Sequence, residues 1–156
     1  MLKQLTTAVL LCAAVAAQAQ VQVSDAWARA TVKGQKATGV FMNLTATKAT
    51  RLVGVKTELA NVSEVHEMKM DKDVMKMQSV KTLDLPAGQT VALKPGSFHV
   101  MLMDLKAPVE EGAHVVLTLL FEDAAGVKTQ QEVHAVAKKG PMAGADKHKQ
   151  GEHHNH

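Results

Sequence analysis

Hydrophobic and polar positions alternate along most of the chain, in short runs rich in Val, Leu and Thr. Alternation with period two is typical of strands that bury one face. The runs lie at 40–46, 51–57, 91–95, 98–105, 114–121 and 127–137. Turn residues separate them, at 86–88, 95–96, 111–112 and 123–126. Many short strands at this spacing predict an all-β domain, built as a sandwich or a barrel.

The segment 63–80 fits two patterns. Its methionines recur at spacings that suit one face of a helix. Histidine and methionine also alternate over 66–70, and methionine alternates again over 75–77, with three polar residues, 71–73, between the two runs. We favour a β-hairpin with a polar loop, although Asp73 stands where a hairpin turn usually has glycine.

The two ends of the chain differ in composition from the body. Residues 1–19 have a lysine near the start, an apolar run and the small-residue sequence Ala-Gln-Ala, as in a secretory signal peptide that is removed. The apolar run is shorter than a membrane span, so we expect no membrane insertion. Residues 20–138 then form one domain. Residues 139–156 are polar and rich in Gly, Lys and His, which predicts a disordered tail.

Charge and cysteine content narrow the function. The formal net charge is +3, with 18 basic and 15 acidic residues, and the aromatic content is 3%. Without a basic stripe or stacking aromatics, a nucleic-acid role is not expected. Cys12 is the single cysteine and lies in the predicted leader. Leu11 precedes it where a lipidation signal has a small residue, so we expect no lipid anchor and no thiol in the mature domain.

Methionine and histidine gather in two short segments. Each segment carries one histidine, His66 or His99, on the same face as its methionines if both are strands. The methionines are Met68, Met70, Met75, Met77, Met101 and Met103. Methionine is an ordinary flexible filler of cores, but a histidine on a purely apolar face would lack partners for its ring nitrogens. Neutral thioether and imidazole ligands suit Cu(I) and are poor ligands for Mg²⁺ or Ca²⁺.

Several other classes lack their signatures. A blue-copper electron carrier needs a cysteine ligand, and the mature chain has none. The sequence has no H-E-x-x-H zinc motif and no G-x-S-x-G nucleophile elbow. We therefore predict a binding protein rather than an enzyme. A copper-dependent redox catalyst and a purely structural β-domain remain as alternatives.

The spacing of four residues resembles a known family. Ten residues separate His66 from Met77, twenty-one separate Met77 from His99, and Met101 completes a His-x-Met. This pattern is similar to that of the periplasmic copper chaperones associated with assembly of the Cu(A) centre of cytochrome c oxidase. The surrounding sequence also resembles that family, over about residues 22–137. The similar stretches are DAWARAT (25–31), GVFMNL (39–44), HEMKM (66–70) and LKPGSFHVMLMDLK (93–106).

The resemblance implies a fold, a site and partners. The implied fold is a cupredoxin-like Greek-key β-barrel or sandwich. The implied site holds Cu(I) with His66, Met77, His99 and Met101. The implied function is delivery of copper in the periplasm to an oxidase subunit, with a thioredoxin-like copper-assembly protein as a further partner. A periplasmic copper buffer for tolerance is the alternative within binding proteins. We expect a monomer, and exposed methionines would permit a copper-bridged dimer.

Secondary metal candidates divide into two groups. Beside the main ligands, we interpret Met68, Met70, Met75 and Met103 as a collar or core filler, with a spare-ligand role as the alternative. In the tail, we predict a Cu(II) site, since flexible imidazoles bind Cu(II) well. Its candidate ligands are Met142, His148, His153, His154 and His156. We assign no site to His114 and His134, and we expect Trp27, near the start of the first strand, to lie in the core.

Overall fold

The structure, a computed structural model, describes residues 20–140. The predicted signal peptide and the tail from residue 141 onwards lie outside the described residues. Within 20–140 every regular element is a strand, and no helix is long and apolar enough to cross a membrane. The strands are β1 (Val21–Arg29), β2 (Ala37–Ala46), β3 (Thr50–Lys56), β4 (Ala60–Asp71), β5 (Val74–Val80), β6 (Leu83–Leu85), β7 (Thr90–Leu93), β8 (Phe98–Leu105), β9 (His114–Asp123) and β10 (Lys128–Lys138). The all-β prediction is confirmed.

All ten strands belong to one sheet. Its order is β5-β4-β8-β2-β1-β10-β9-β3-β6, and β7 pairs with β2. Neighbours are antiparallel except β1 and β10, which run parallel. The sheet curls until β3 and β4 approach each other, so that its inner face closes around one core. Strand β8 therefore lies between β4 and β2 in the wall that carries the histidine and methionine segments.

Strand β8 shows how alternation separates the core from the outer face. Val100 and Leu102 are fully buried in the aliphatic core. His99, Met101 and Met103 point to the opposite face, because successive side chains of a strand alternate. The core is made almost entirely of Val, Leu and Ala. Burial of such side chains, at about 25 cal/mol per Å², is the main stabilising contribution in a domain whose described part contains no cysteine.

The segment 63–80 forms the predicted hairpin, with a tighter turn than expected. Asp71 pairs with Val74, so the loop has two residues rather than three. Lys72 and Asp73 have positive φ of 47° and 66°. Two left-handed central residues define the primed turn that matches the twist of paired strands. Aspartate tolerates this conformation better than most residues, which explains how the turn forms without glycine at 73.

Strand β1 departs from the prediction for Trp27. Asp25 has a positive φ of 53°, and the pairing with β2 shifts register between Ser24 and Trp27. This bulge places Ala28 in the core and Trp27 on the outer face, where the indole is half-buried against Phe41. The expectation that Trp27 is a core residue is therefore wrong.

Candidate metal centre

Strand register brings the two predicted histidine ligands together. His66 of β4 lies directly opposite His99 of β8, and their ring centroids are 5.9 Å apart. Glu64 lies opposite Met101 in the same antiparallel pair, two residues away on the same face. Both imidazoles are buried, at 7% and 6% exposure. The sheet therefore fixes the two histidines and Met101 on one patch of its outer face.

The fourth predicted ligand comes from the hairpin. Met77 of β5 pairs with Met68 of β4, two residues from His66. Its Sδ lies 3.2 Å from Nε2 of His99. Met77 is 47% exposed, so this side of the site opens to solvent. The structure thus brings Met77 against His99, which lies opposite His66. Met101 follows His99 by two residues on the same face of β8, so the four candidates share one patch, with both imidazoles buried and Met77 at the surface.

The hydrogen bonds of His99 define the state of its ring. Nδ1 lies 3.2 Å from the carbonyl oxygen of Ser97, and a carbonyl only accepts, so Nδ1 carries the proton and donates. Nε2 of the neutral ring then holds a lone pair, and it faces the thioether sulfur of Met77, which is also an acceptor. Two acceptors face each other without a proton between them. A soft cation bound by both atoms satisfies this arrangement.

Like His99, His66 uses one ring nitrogen for a hydrogen bond within the protein, in this case to a carboxylate. Its Nε2 lies 2.8 Å from Oε2 of Glu64, which accepts a hydrogen bond from the ring. Nδ1 is buried, and within residues 20–140 it has no hydrogen-bond partner. With the proton on Nε2, Nδ1 keeps a lone pair available to a metal. A carboxylate on the second ring nitrogen is a common way to orient a metal-binding histidine and raise its basicity.

The environment keeps His99 neutral. Burial lowers the pKa of His99 below its ordinary value of 6.5. The hydrogen bond to Ser97 opposes this change, whereas electrostatic interactions with His66 and Arg29 lower the pKa further. A metal binds the neutral imidazole, and protons compete with it. The lowered pKa therefore leaves the ring ready for a cation at mildly acidic pH.

The aromatic ring of Phe41 lies beside His99 and packs against that of Trp27, and the sequence did not predict these contacts. The ring centroid of Phe41 is 6.1 Å from that of His99 and 4.5 Å from that of Trp27. Gly39, which pairs with Met101, permits this position, because a Cβ there would lie 2.8 Å from Cζ of Phe41. The Arg29 guanidinium covers the same ring, 5.5 Å from its centroid. The only sequence signal was the Gly-Val-Phe stretch at 39–41.

The donor set fits a soft monovalent ion. Among residues 20–140 no group of three or more His, Cys, Asp and Glu side chains is placed to hold a metal. The buried Nδ1 of His66 and the facing acceptors of His99 and Met77 are the positions that remain without a proton donor. Two imidazoles and two thioethers fit Cu(I).

The remaining candidates fall in different places. Met68 and Met103 are half-buried beside the four ligands, in keeping with a collar. Met70 and Met75 are 62% and 45% exposed at the end of the hairpin, so they do not fill the core. The tail candidates lie outside the described residues. They are Met142, His148, His153, His154 and His156.

Comparison with known proteins places this arrangement in a family. Residues 21–133, most of the chain, match the family described as "Putative lipoprotein LpqE-like". The chain belongs to the LpqE-like family. One relative, "Putative lipoprotein Lxx21020" of Leifsonia xyli subsp. xyli (strain CTCB07), is 38% identical over 104 residues, which cover 66% of this chain. The match spans 63% of that relative's length.

Solved structures similar to this LpqE-like chain include copper-bound forms. Apo-DR1885 from Deinococcus radiodurans is 29% identical, with a TM-score of 0.59 over 90% of this chain and 93% of that one. The Cu(I) form, CuI-DR1885, is 31% identical, with a TM-score of 0.54 over 74% and 76% of the two chains. The copper-bound PCuAC domain from PmoF2 is 23% identical, with a TM-score of 0.62 over 78% and 95%. Its likeness supports the cupredoxin-like β fold alone.

Proposed function

We propose that this protein is a periplasmic Cu(I)-binding metallochaperone that delivers copper for assembly of the Cu(A) centre of cytochrome c oxidase. The observation that carries the proposal is the 3.2 Å approach of two acceptors, Nε2 of His99 and Sδ of Met77, beside the buried His66. Membership of the LpqE-like family and similarity to CuI-DR1885 support it. Copper is the cargo of the protein, and binding involves no catalytic turnover.

The site combines fixed and movable ligands. Hydrogen bonds to Ser97 and Glu64 orient His99 and His66 on paired strands of the sheet. Met77 projects from the hairpin and is nearly half exposed. Since methionine has three rotatable bonds and no charge, its sulfur exchanges for an acceptor's ligand at low cost. The buried nitrogens hold the ion while the exposed thioether is replaced, which suits transfer to an oxidase subunit or a thioredoxin-like copper-assembly protein.

The two ends of the chain complete the proposal. Residues 1–19 direct export, and the periplasm is the compartment where a thioether site avoids the disulfide formation that thiolates undergo. The tail histidines bind Cu(II) separately from the folded site. Removal of residues 141–156 is expected to lower the number of Cu(II) ions bound while Cu(I) binding persists. An unchanged Cu(II) stoichiometry would contradict the role of the tail.

Copper transfer separates a chaperone from a copper buffer. Cu(I)-loaded protein is mixed anaerobically with an apo oxidase Cu(A) domain, and the reference is the same free Cu(I) concentration set by a small-molecule chelator. A chaperone metallates the domain faster than the chelator does, whereas a buffer slows it. His99→Ala is expected to abolish the acceleration, and His134→Ala, on an exposed strand face, to leave it unchanged. Sustained substrate turnover by the loaded protein would instead favour a redox enzyme.

A further inference from the structure

The outer face of the β4–β5 hairpin carries four methionines in two cross-strand pairs. Met68 pairs with Met77, and Met70 pairs with Met75. All four alternate in phase with His66, so they continue the face of the candidate site towards the hairpin turn. We call them the hairpin methionines. Met77 approaches His99, which leaves three thioethers without an assigned partner.

Burial in the core does not explain the presence of Met70 and Met75, which we call the outer pair because they lie nearest the hairpin turn. Strand β5 is exposed along its length except at Val80, which is half-buried. Met70 and Met75 are 62% and 45% exposed, so they contribute little to the core. Towards the turn, the opposite face of the hairpin is mostly charged or polar apart from the exposed Val74, and Lys76 there forms an ion pair with Asp71. The hairpin thus presents sulfur to solvent on one face only, in line with the copper ligands.

We propose that Met68, Met70 and Met75 form a second Cu(I) position at the end of the hairpin, an inference that rests on the proposed function. Directly opposed residues of an antiparallel pair have Cβ atoms about 4.5–5.5 Å apart, and neighbours on one face are about 7 Å apart. Flexible methionine side chains can bring their sulfurs to one ion across such distances. Three neutral thioethers select a soft monovalent cation.

The second position lies in line with the main site. From Met70 to His66 the strand rises about 13 Å, at about 3.3 Å per residue, and the Met68–Met77 pair lies midway. Met77 is thus next to both positions. Movement of Cu(I) between them is ligand exchange, in which one Cu–S bond forms as another breaks and the oxidation state stays the same. The hairpin provides an exposed position from which Cu(I) reaches the buried nitrogens.

The test compares Cu(I) binding by the mature chain and by a variant without the outer pair. Met70→Leu/Met75→Leu keeps the size and hydrophobicity of both side chains and removes the sulfurs. Val74→Leu is the matched control, since Val74 is 57% exposed in the same hairpin and carries no sulfur. Cu(I) is added anaerobically against a competing chelator, and methyl-¹³C methionine NMR follows each sulfur. All three proteins keep the tail, so any copper bound there cancels in the comparison.

The double variant is expected to bind one Cu(I) fewer than the wild type and the Val74→Leu control. In the wild type the methyl signals of Met70 and Met75 shift in a step distinct from those of Met77 and Met101. Equal stoichiometry with unshifted Met70 and Met75 signals would overturn the second position. In that result, shifted Met77 and Met101 signals would still support the main site. Unshifted signals at those two residues would overturn the proposed function itself.

Discussion

The tripeptide Glu-Val-His occurs twice, at 64–66 in β4 and at 132–134 in β10, with very different surroundings. In both copies Nε2 of the histidine meets the carboxylate two residues earlier, at 2.8 Å for His66 and 2.7 Å for His134. The side chain of His66 is 9% exposed, whereas that of His134 is 58% exposed. An identical local hydrogen bond is therefore found once in the candidate site and once on an open surface.

Cross-strand neighbours make the difference. His66 faces His99 directly, with Met77 and Met101 next to the pair. His134 faces Val116, and His114 lies diagonally from it on the same exposed face, with no methionine in β9 or β10. The two copies therefore differ in burial and in the sulfur atoms that other strands supply, and for this reason we assign the candidate site to His66 and not to His134.

Removal of a buried imidazole is expected to have the largest effect. His99→Ala takes away a nitrogen ligand and leaves a hydrophobic gap, so Cu(I) affinity should fall by more than about 100-fold, beyond the loss typical of outer-shell changes. His134→Ala should leave the affinity unchanged. Competition with a Cu(I) chelator under anaerobic conditions measures both. Equal affinities for the two variants would show that the buried imidazole of His99 contributes no more to Cu(I) binding than the exposed imidazole of His134.

Removal of a thioether is expected to have the next largest effect. Met77→Leu keeps the volume of an exposed side chain and loses its sulfur, so Cu(I) affinity should fall roughly 10- to 100-fold with little change in unfolding free energy. Met42→Leu is the control for loss of a methionine sulfur, because Met42 is buried in the core, on the face of β2 opposite to the candidate ligands. The same chelator competition and thermal unfolding report the two quantities. A Met77→Leu protein that retains wild-type affinity would remove Met77 from the site.

Substitution of the carboxylates of Glu64 and Glu132 is expected to have a smaller effect on affinity, but it compares the two Glu-Val-His copies directly. Glu64→Gln removes the charge that holds the proton on Nε2 of His66, and Cu(I) affinity should fall about 10-fold. Glu132→Gln makes the same change beside His134 and should have no effect on binding. The contrast isolates the role of the carboxylate from its sequence context. Equal effects of both substitutions would point to net charge rather than to orientation of His66.

The pH dependence of folding gives the smallest expected effect. The folded-state pKa of His99 lies below its ordinary value of 6.5, mainly because of burial, so the unfolded chain binds more protons over this range. The contribution of His99 to apo stability is complete above pH 6.5 and decreases as the pH falls through the lowered pKa. His99→Asn should flatten this dependence, whereas His134→Asn should preserve it. Urea unfolding of the apo proteins at several pH values measures the slope.

Sequence predicted the fold class and the four main candidates better than their surroundings. Alternation in 98–105 separated the core residues Val100 and Leu102 from the outward-facing His99 and Met101, as the structure confirms. The spacing from His66 to Met77 and His99 indicated strands that meet. Trp27 was misplaced because a bulge at Asp25 reverses the alternation, and bulges leave little trace in a hydrophobic pattern.

The residues that surround the four candidate ligands could not be predicted from the sequence, because their positions depend on the register between paired strands. Glu64 is one of two carboxylates in identical tripeptides, and only pairing with β8 shows which lies beside Met101. Phe41 reaches His99 because Gly39 leaves room for its ring, a contact between side chains of different strands. The exposure of Met70 and Met75 depends on how far the hairpin extends beyond its neighbours in the sheet. These features depend on contacts between different strands, which the periodicity within one strand does not determine.

X-ray absorption of the protein loaded anaerobically with one equivalent of Cu(I) tests the central claim most directly. The wild type and His134→Ala are expected to show the same mixed first shell of nitrogen and sulfur, and His99→Ala a shell that has lost nitrogen. A shell made only of oxygen, or a nitrogen contribution that persists unchanged in His99→Ala, would contradict the assignment of the buried histidines to copper.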